Sequence, residues 1–178
     1  MEEVYLLRKP TLADKEHLIH YKEAFGTPKA GIAGTSRLTQ FEDISKWLDF
    51  LALSEREETM PNPEFVPAIL YVFVRESDNQ IVGMSHLRLR LNEGLSRYGG
   101  HIGYSILPSE QRKGLGTLLL RETLLKGQSK GIDSVFITCD DINRGSAKVI
   151  ESNGGILENK EINQETGELI RRYWIQKK

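Results

Sequence analysis

The stretch Ile102-Gly-Tyr-Ser-Ile-Leu-Pro-Ser-Glu-Gln-Arg-Lys-Gly-Leu-Gly-Thr117 carries most of the information in this 178-residue chain. It reads as a short strand, a proline stop and two glycines that open a leucine-rich helix. The first N–H groups of such a helix have no carbonyl partner, and the helix dipole adds positive potential there, so the turn is suited to a pyrophosphate. Gly114 and Gly116 let phosphate oxygens approach the main chain, while Arg112 and Lys113 add charge at the rim. An ordinary strand-to-helix turn with a solvated basic pair is the alternative. Two common phosphate motifs fail on these residues. The dinucleotide fingerprint requires a small residue where Leu119 stands, and the phosphate loop requires Gly-Lys-Ser/Thr where the chain has Gly116-Thr-Leu.

Outward from this turn, the helix runs from about 114 to 130 on a seam of Leu115, Leu118, Leu119 and Leu125. A strand over 134–139, a helix over 143–153 ended by Gly154-Gly155, and a hairpin of strands 156–162 and 169–176 complete the C-terminal side. Upstream, strands are expected over 67–75, 80–91 and 101–107, the first two joined by the turn Ser77-Asp-Asn79. The N-terminal third reads as a strand at Val4–Leu7, a capped start at Thr11 and Asp14, and a helix through Leu18 to Phe25. A second helix follows over about 40–56, where Phe41, Ile44, Trp47, Leu48 and Leu51 recur at three- and four-residue steps. The order describes an α/β (α+β) chain with a mixed, mostly antiparallel sheet of about seven strands and about four helices on its faces. One domain, 1–178, is expected, without repeat, linker or low-complexity segment.

Composition narrows the function classes. Basic residues number 24 against 25 acidic, a net charge of −1 that argues against a polyanion or membrane-surface binder. The balance is uneven: residues 1–60 hold 8 basic and 11 acidic side chains, and residues 108–131 hold 5 and 2. A local basic excess in a neutral chain points to a small anionic ligand at one end and a more acidic end elsewhere. The single cysteine, Cys139, agrees with a reducing compartment. Apolar runs far below membrane length and an acidic start lead to the expectation of a cytoplasmic protein, with no membrane and no nucleic acid as partner.

Gln111-Arg-Lys-Gly114-Leu-Gly116 resembles the Gln/Arg-x-x-Gly-x-Gly/Ala signature of the GNAT superfamily of acyl-CoA-dependent N-acyltransferases. Asn143-Arg-Gly-Ser-Ala-Lys-Val-Ile-Glu-Ser-Asn-Gly-Gly155 is similar to a block of its ribosomal-protein N-acetyltransferase-like branch. Residues 66–178 fit in order and spacing; residues 1–65 match only as a strand and two helices. The resemblance implies the GNAT fold and transfer of an acetyl group from acetyl-CoA to a primary amine in a ternary complex. Under it, the main chain of Ile106 and Leu107 pairs with the pantetheine arm. Arg112, Lys113, Gly114, Leu115, Gly116 and Thr117 hold the pyrophosphate, mainly through backbone N–H groups, and Gln111 is counted among the cofactor-binding residues. Asn143 reaches the pantetheine, with Ser146 and Lys148 near the same ligand; Lys148 reads equally as a solvated charge. No metal is implied, and a homodimer is left open. A CoA-binding or regulatory domain without turnover is the rival reading.

The catalytic assignments are less direct. Relatives often place a carboxylate base on the fourth strand; here the neighbourhood offers His101, whose ordinary pKa suits a base, or which serves only structure beside Gly99-Gly100. Ile150 stands where many relatives have the tyrosine that protonates the departing thiolate, which leaves Ser146, Tyr104, water or unassisted departure. Cys139 as an acyl carrier has no activating pattern around it, so direct transfer is preferred. His17 and His20 are read as surface residues, Glu55-Arg-Glu-Glu58 as a solvated helix end, and Arg171-Arg172 as two faces of a terminal strand. The acceptor is expected between the first two helices and the final hairpin.

Overall fold

A computed structural model describes all 178 residues. In chain order the elements are β1 (Tyr5–Arg8), α1 (Lys15–Ala24), α2 (Ile44–Leu53), β2 (Ala68–Arg75), β3 (Ile81–Arg88) and β4 (Ile102–Ile106). They continue as α3 (Leu115–Ser129), β5 (Ser134–Asp140), α4 (Arg144–Ser152), β6 (Ile156–Ile162) and β7 (Leu169–Gln176). Seven strands and four α-helices agree with the expected class. No helix is long and apolar enough to cross a membrane.

Local chemistry fixes the element ends. Asp14 accepts the Thr11 amide and is clasped by Arg8 at 2.8 Å, so β1 and the entry to α1 are locked together. The second helix is shorter than its periodicity predicts. Leu38–Gln40 makes a separate 3-10 turn, Phe41 is extended, and Asp43 caps the helix by accepting the Ser45 amide at 2.8 Å.

The strands do not form one mixed sheet. They make two antiparallel sheets, β1-β2-β3-β4 and β5-β7-β6. Between β4 and β5 the layer opens, because the two strands share no ladder. Their connection is concentrated at His101, whose N–H donates to the Phe136 carbonyl at 2.7 Å and whose Nδ1 accepts the Phe136 N–H at 2.9 Å. Along β4 the outer members of the register, His101 and Leu107, bond to Arg88 and Val82 of β3. Antiparallel alternation therefore turns the N–H and C=O of Tyr104 and Ile106 toward the opening.

Two apolar layers flank the first sheet. Leu18, Tyr21, Ile44 and Trp47 pack with Val72 and Met84 on one side. On the other, Leu87, Ile102, Leu120, Ile137, Ile150 and Tyr173 join α3, α4 and both sheets. All of Ala68–Val74 is buried, which makes β2 the centre of the molecule.

Candidate active site

The opening between β4 and β5 continues into a cavity of about 750 Å³. Tyr104, Ser105 and Ile106 line it from β4; Gln111, Arg112, Gly114, Gly116 and Thr117 from the turn and the start of α3; Asn143 and Ser146 from the start of α4. Phe25, Ile32 and Ala33 close it from the loop after α1. Most of the residues that the sequence singles out are thus brought to one wall system.

The turn before α3 leaves a run of backbone donors free. Arg112 and Gly114 have φ of 63° and 80°, so the chain doubles back in left-handed backbone, which glycine adopts without strain. From Arg112 to Thr117 no backbone N–H donates to another backbone group. Gly114 caps α3 without a side-chain hydrogen bond, and a Cβ there would meet nothing within 4 Å. Six consecutive donors beside a cavity, at the positive end of a 15-residue helix, can bind phosphate oxygens.

Several expected contributors are placed elsewhere. The Leu107 N–H donates to Val82 at 2.8 Å and is committed to the sheet. The Leu115 side chain is buried in the core and that of Lys113 turns to Glu110 at 3.0 Å, where Arg75 also binds, so each has only its backbone N–H to offer the turn. Lys148 is exposed on α4 and does not line the cavity. The Ile106 carbonyl is held by Gln111 Nε2 at 3.1 Å, which gives Gln111 a positioning role. Asn143 spends its Oδ1 on capping α4 through the Ser146 amide, leaving Nδ2 as its group for a ligand.

His101 lies outside the cavity lining. With Nδ1 engaged by Phe136, its imidazole joins the sheets, and burial together with the Arg88 charge holds its pKa below the usual range. Tyr104 is placed otherwise: its hydroxyl crosses from β4 to α4 and meets Ser146 Oγ at 2.7 Å. Burial pushes Tyr104 up to about 12, so the hydroxyl keeps its proton at neutral pH. Ile150, in the position where a tyrosine is common, is fully buried apolar core. Burial also pushes the Cys139 thiol up to about 11, the wrong direction for a nucleophile.

A second cavity of about 370 Å³ shares Ile32 and Ala33 with the first. Its lining includes Arg37, Phe65, His86 and Arg88, none of which sequence reasoning identified. A signal was present: alternation puts Met84, His86 and Arg88 on one face of β3, and two polar residues follow an apolar one. Part of the acidic excess of the N-terminal third is paired within the fold, while Glu16, Glu23, Glu42 and Asp49 are exposed and outside any ion pair. Glu55 pairs with Lys9 at 2.7 Å and Glu57 with Arg90 at 2.5 Å. Arg171 is held by Asp141, and Arg172 lies over the Phe136 ring, so this basic pair is structural. No group of three or more side chains able to hold a metal is present.

The sequence model of the acetyltransferase (GNAT) domain matches residues 5–156. No curated protein sequence matches significantly. Among solved structures, a Vibrio cholerae protein described as a ribosomal-protein-serine acetyltransferase superposes with a TM-score of 0.68 at 17% identity, over 99% of this chain and 95% of its own. RimL, a ribosomal L7/L12 alpha-N-protein acetyltransferase solved with coenzyme A, gives 0.67 at 17% identity, over 99% and 98%. The yncA protein of Salmonella typhimurium, solved with its cofactor acetyl-CoA, gives 0.63 at 14% identity, over 97% and 93%. At these identities the likeness is one of fold. The family match spans most of the chain: the chain belongs to the GNAT acetyltransferase domain family.

Proposed function

We propose that the protein is an N-acetyltransferase that moves an acetyl group from acetyl-CoA to a primary amine by direct transfer in a ternary complex. The observation that carries this reading is the run of unpaired N–H groups from Arg112 to Thr117, on the same cavity as the open edge of β4 and the Tyr104–Ser146 pair. The turn receives the pyrophosphate, and the outward main chain of β4 pairs with the pantetheine amides as an added strand does. The Ile106 N–H faces the opening and is the donor for the oxyanion that forms when the amine nitrogen attacks the thioester carbonyl. As the C–S bond breaks, Tyr104 gives its proton to the thiolate and regains one through Ser146. The nitrogen–carbon bond forms, the amine proton leaves to water in the cavity, and no acyl-enzyme is required. Arg112 adds charge at the phosphate rim, and Asn143 holds the arm through Nδ2. The resemblance to ribosomal-protein acetyltransferases supports a protein or amino-acid amine as one acceptor class.

Incubation with acetyl-CoA and an amine library, following free thiol, tests the proposal. Thiol release dependent on an amine is expected. Tight acetyl-CoA binding without release for any amine would replace this reading with a regulatory CoA-binding domain.

A further inference from the structure

The second cavity holds a charge without a counter-charge. Arg88 is half-buried on β3, and its Nη1 donates only to the carbonyls of Gly100 at 3.1 Å and Gly99 at 3.4 Å. Burial lowers its pKa and no carboxylate opposes that, while its charge is felt by both His86 and His101. Arg37, also in the lining, has a left-handed backbone with φ of 65° and lays its guanidinium over the Phe65 ring at 4.3 Å. Its one polar side-chain contact is Gln40, at 3.5 Å. The single acid in the lining is Glu64, which is exposed, and the remaining titratable group is His86, which burial holds neutral. One half-buried guanidinium, Arg88, and one exposed at the rim, Arg37, therefore line a pocket of about 370 Å³ that one rim carboxylate does not neutralise.

A partly desolvated charge is costly until a ligand supplies its partner. Guanidinium presents a planar fork that matches a carboxylate in a bidentate pair. The wall shared through Ile32 and Ala33 sets this pocket beside the acetyl-donor cavity. We infer that the acceptor is an amine that also bears a carboxylate, bound by Arg88 with Arg37 as the second contact, its amine directed toward the donor cavity. This rests on the acetyltransferase reading above and names its substrate class. Polyamines, whose charges these two arginines repel, are excluded by it.

The test pairs each acceptor with its uncharged twin. Thiol release from acetyl-CoA is measured with L-amino acids, the matching amino-acid amides, and spermidine. The best acid is expected to exceed its amide in kcat/KM by about 10- to 100-fold, the loss typical of a hydrogen bond to a charged group. Arg88→Gln collapses that ratio toward one through KM, and Arg88→Lys restores part of it. Because Arg88 also supports the Gly99 and Gly100 carbonyls, Arg37→Gln provides a second variant that leaves β3 untouched. Equal use of acid and amide, a preference for spermidine, or an unchanged ratio in both variants would overturn the inference. Should no amine release thiol, the imidazole resonance of His86 is followed during titration with N-acetylglycine and N-acetylglycinamide. Selective binding of the acid, lost in Arg88→Gln, would uphold the carboxylate site while the proposed activity fell; absence of selective binding would refute the site.

Discussion

Replacing His101 separates a structural histidine from a catalytic one, because two substitutions give opposite forecasts. His101→Ala leaves the Phe136 N–H buried with no acceptor at the place where hydrogen bonds link the start of β4 to β5. An orphaned buried donor costs about 1–3 kcal/mol, and the lost ring, 8% exposed in the native protein, removes packing worth about 1 kcal/mol. A loss of about 2–4 kcal/mol is expected, lowering the melting temperature by roughly 4–16 °C for a domain of this size. His101→Asn puts a carbonyl oxygen at the same number of bonds from the main chain as Nδ1, so it accepts the same N–H and recovers about half of the loss. Urea unfolding gives the stabilities, and thiol release at a temperature where every variant is folded gives the rates. The structural role predicts that Asn is more stable than Ala and that both keep the wild-type pH profile of kcat. If both variants lose activity equally and a limb near neutral pH disappears while stability is unchanged, His101 is the base and its placement in the joint is wrong.

Gly116→Glu puts a carboxylate among the free N–H groups proposed for the pyrophosphate, with its Cβ at 3.1 Å from Val149 Cγ2; calorimetry should show acetyl-CoA affinity falling at least about 100-fold by charge repulsion while the fold persists. Tyr104→Phe removes the hydroxyl that meets Ser146 and is the proposed acid for the thiolate, and kcat should drop about 10²- to 10⁴-fold with little change in acetyl-CoA affinity, whereas an unaltered kcat would assign thiolate departure to water. Burial, with the Arg88 charge, lowers His86 to about 3, so the unfolded chain binds a proton near pH 6.5 that the folded chain refuses. Stability then rises with pH between these values, and about 2 kcal/mol should be lost from pH 7 to pH 5; urea unfolding of His86→Met should lack that share of the pH dependence.

The C-terminal two-thirds of the fold was legible because its signals are local. Strands 156–162 and 169–176 fall where the pattern around Gln164-Glu-Thr-Gly167 puts them, and α3 begins one residue after Gly114. The turn was legible for the same reason, since unpaired N–H groups follow from a helix start whatever packs behind them. What stayed hidden depends on distant partners. Nothing near His101 in sequence announces that Phe136 uses its imidazole, or that Lys113 turns away to Glu110. The acidic N-terminal third was legible only in part, because charge counts ignore pairing: Lys9 and Arg90 approach Glu55 and Glu57 from elsewhere in the chain. Arg88 is the converse case, a charge that looks ordinary in sequence and is distinguished only by lacking a partner in space.

Gly34 lies so close to β4 that a Cβ on it would stand 2.5 Å from the Tyr104 Cα, which pins the loop carrying Ile32 and Ala33 against the strand bearing the proposed acid. One wall, through Ile32 and Ala33, thus lies between the cavity proposed for the donor and the pocket proposed for the acceptor. In equilibrium language the two ligands are linked: whatever factor bound acetyl-CoA imposes on acceptor affinity, bound acceptor must impose on acetyl-CoA. Widening the glycine at position 34 would alter that factor itself, making the partition the natural place to measure coupling between the two halves of the reaction.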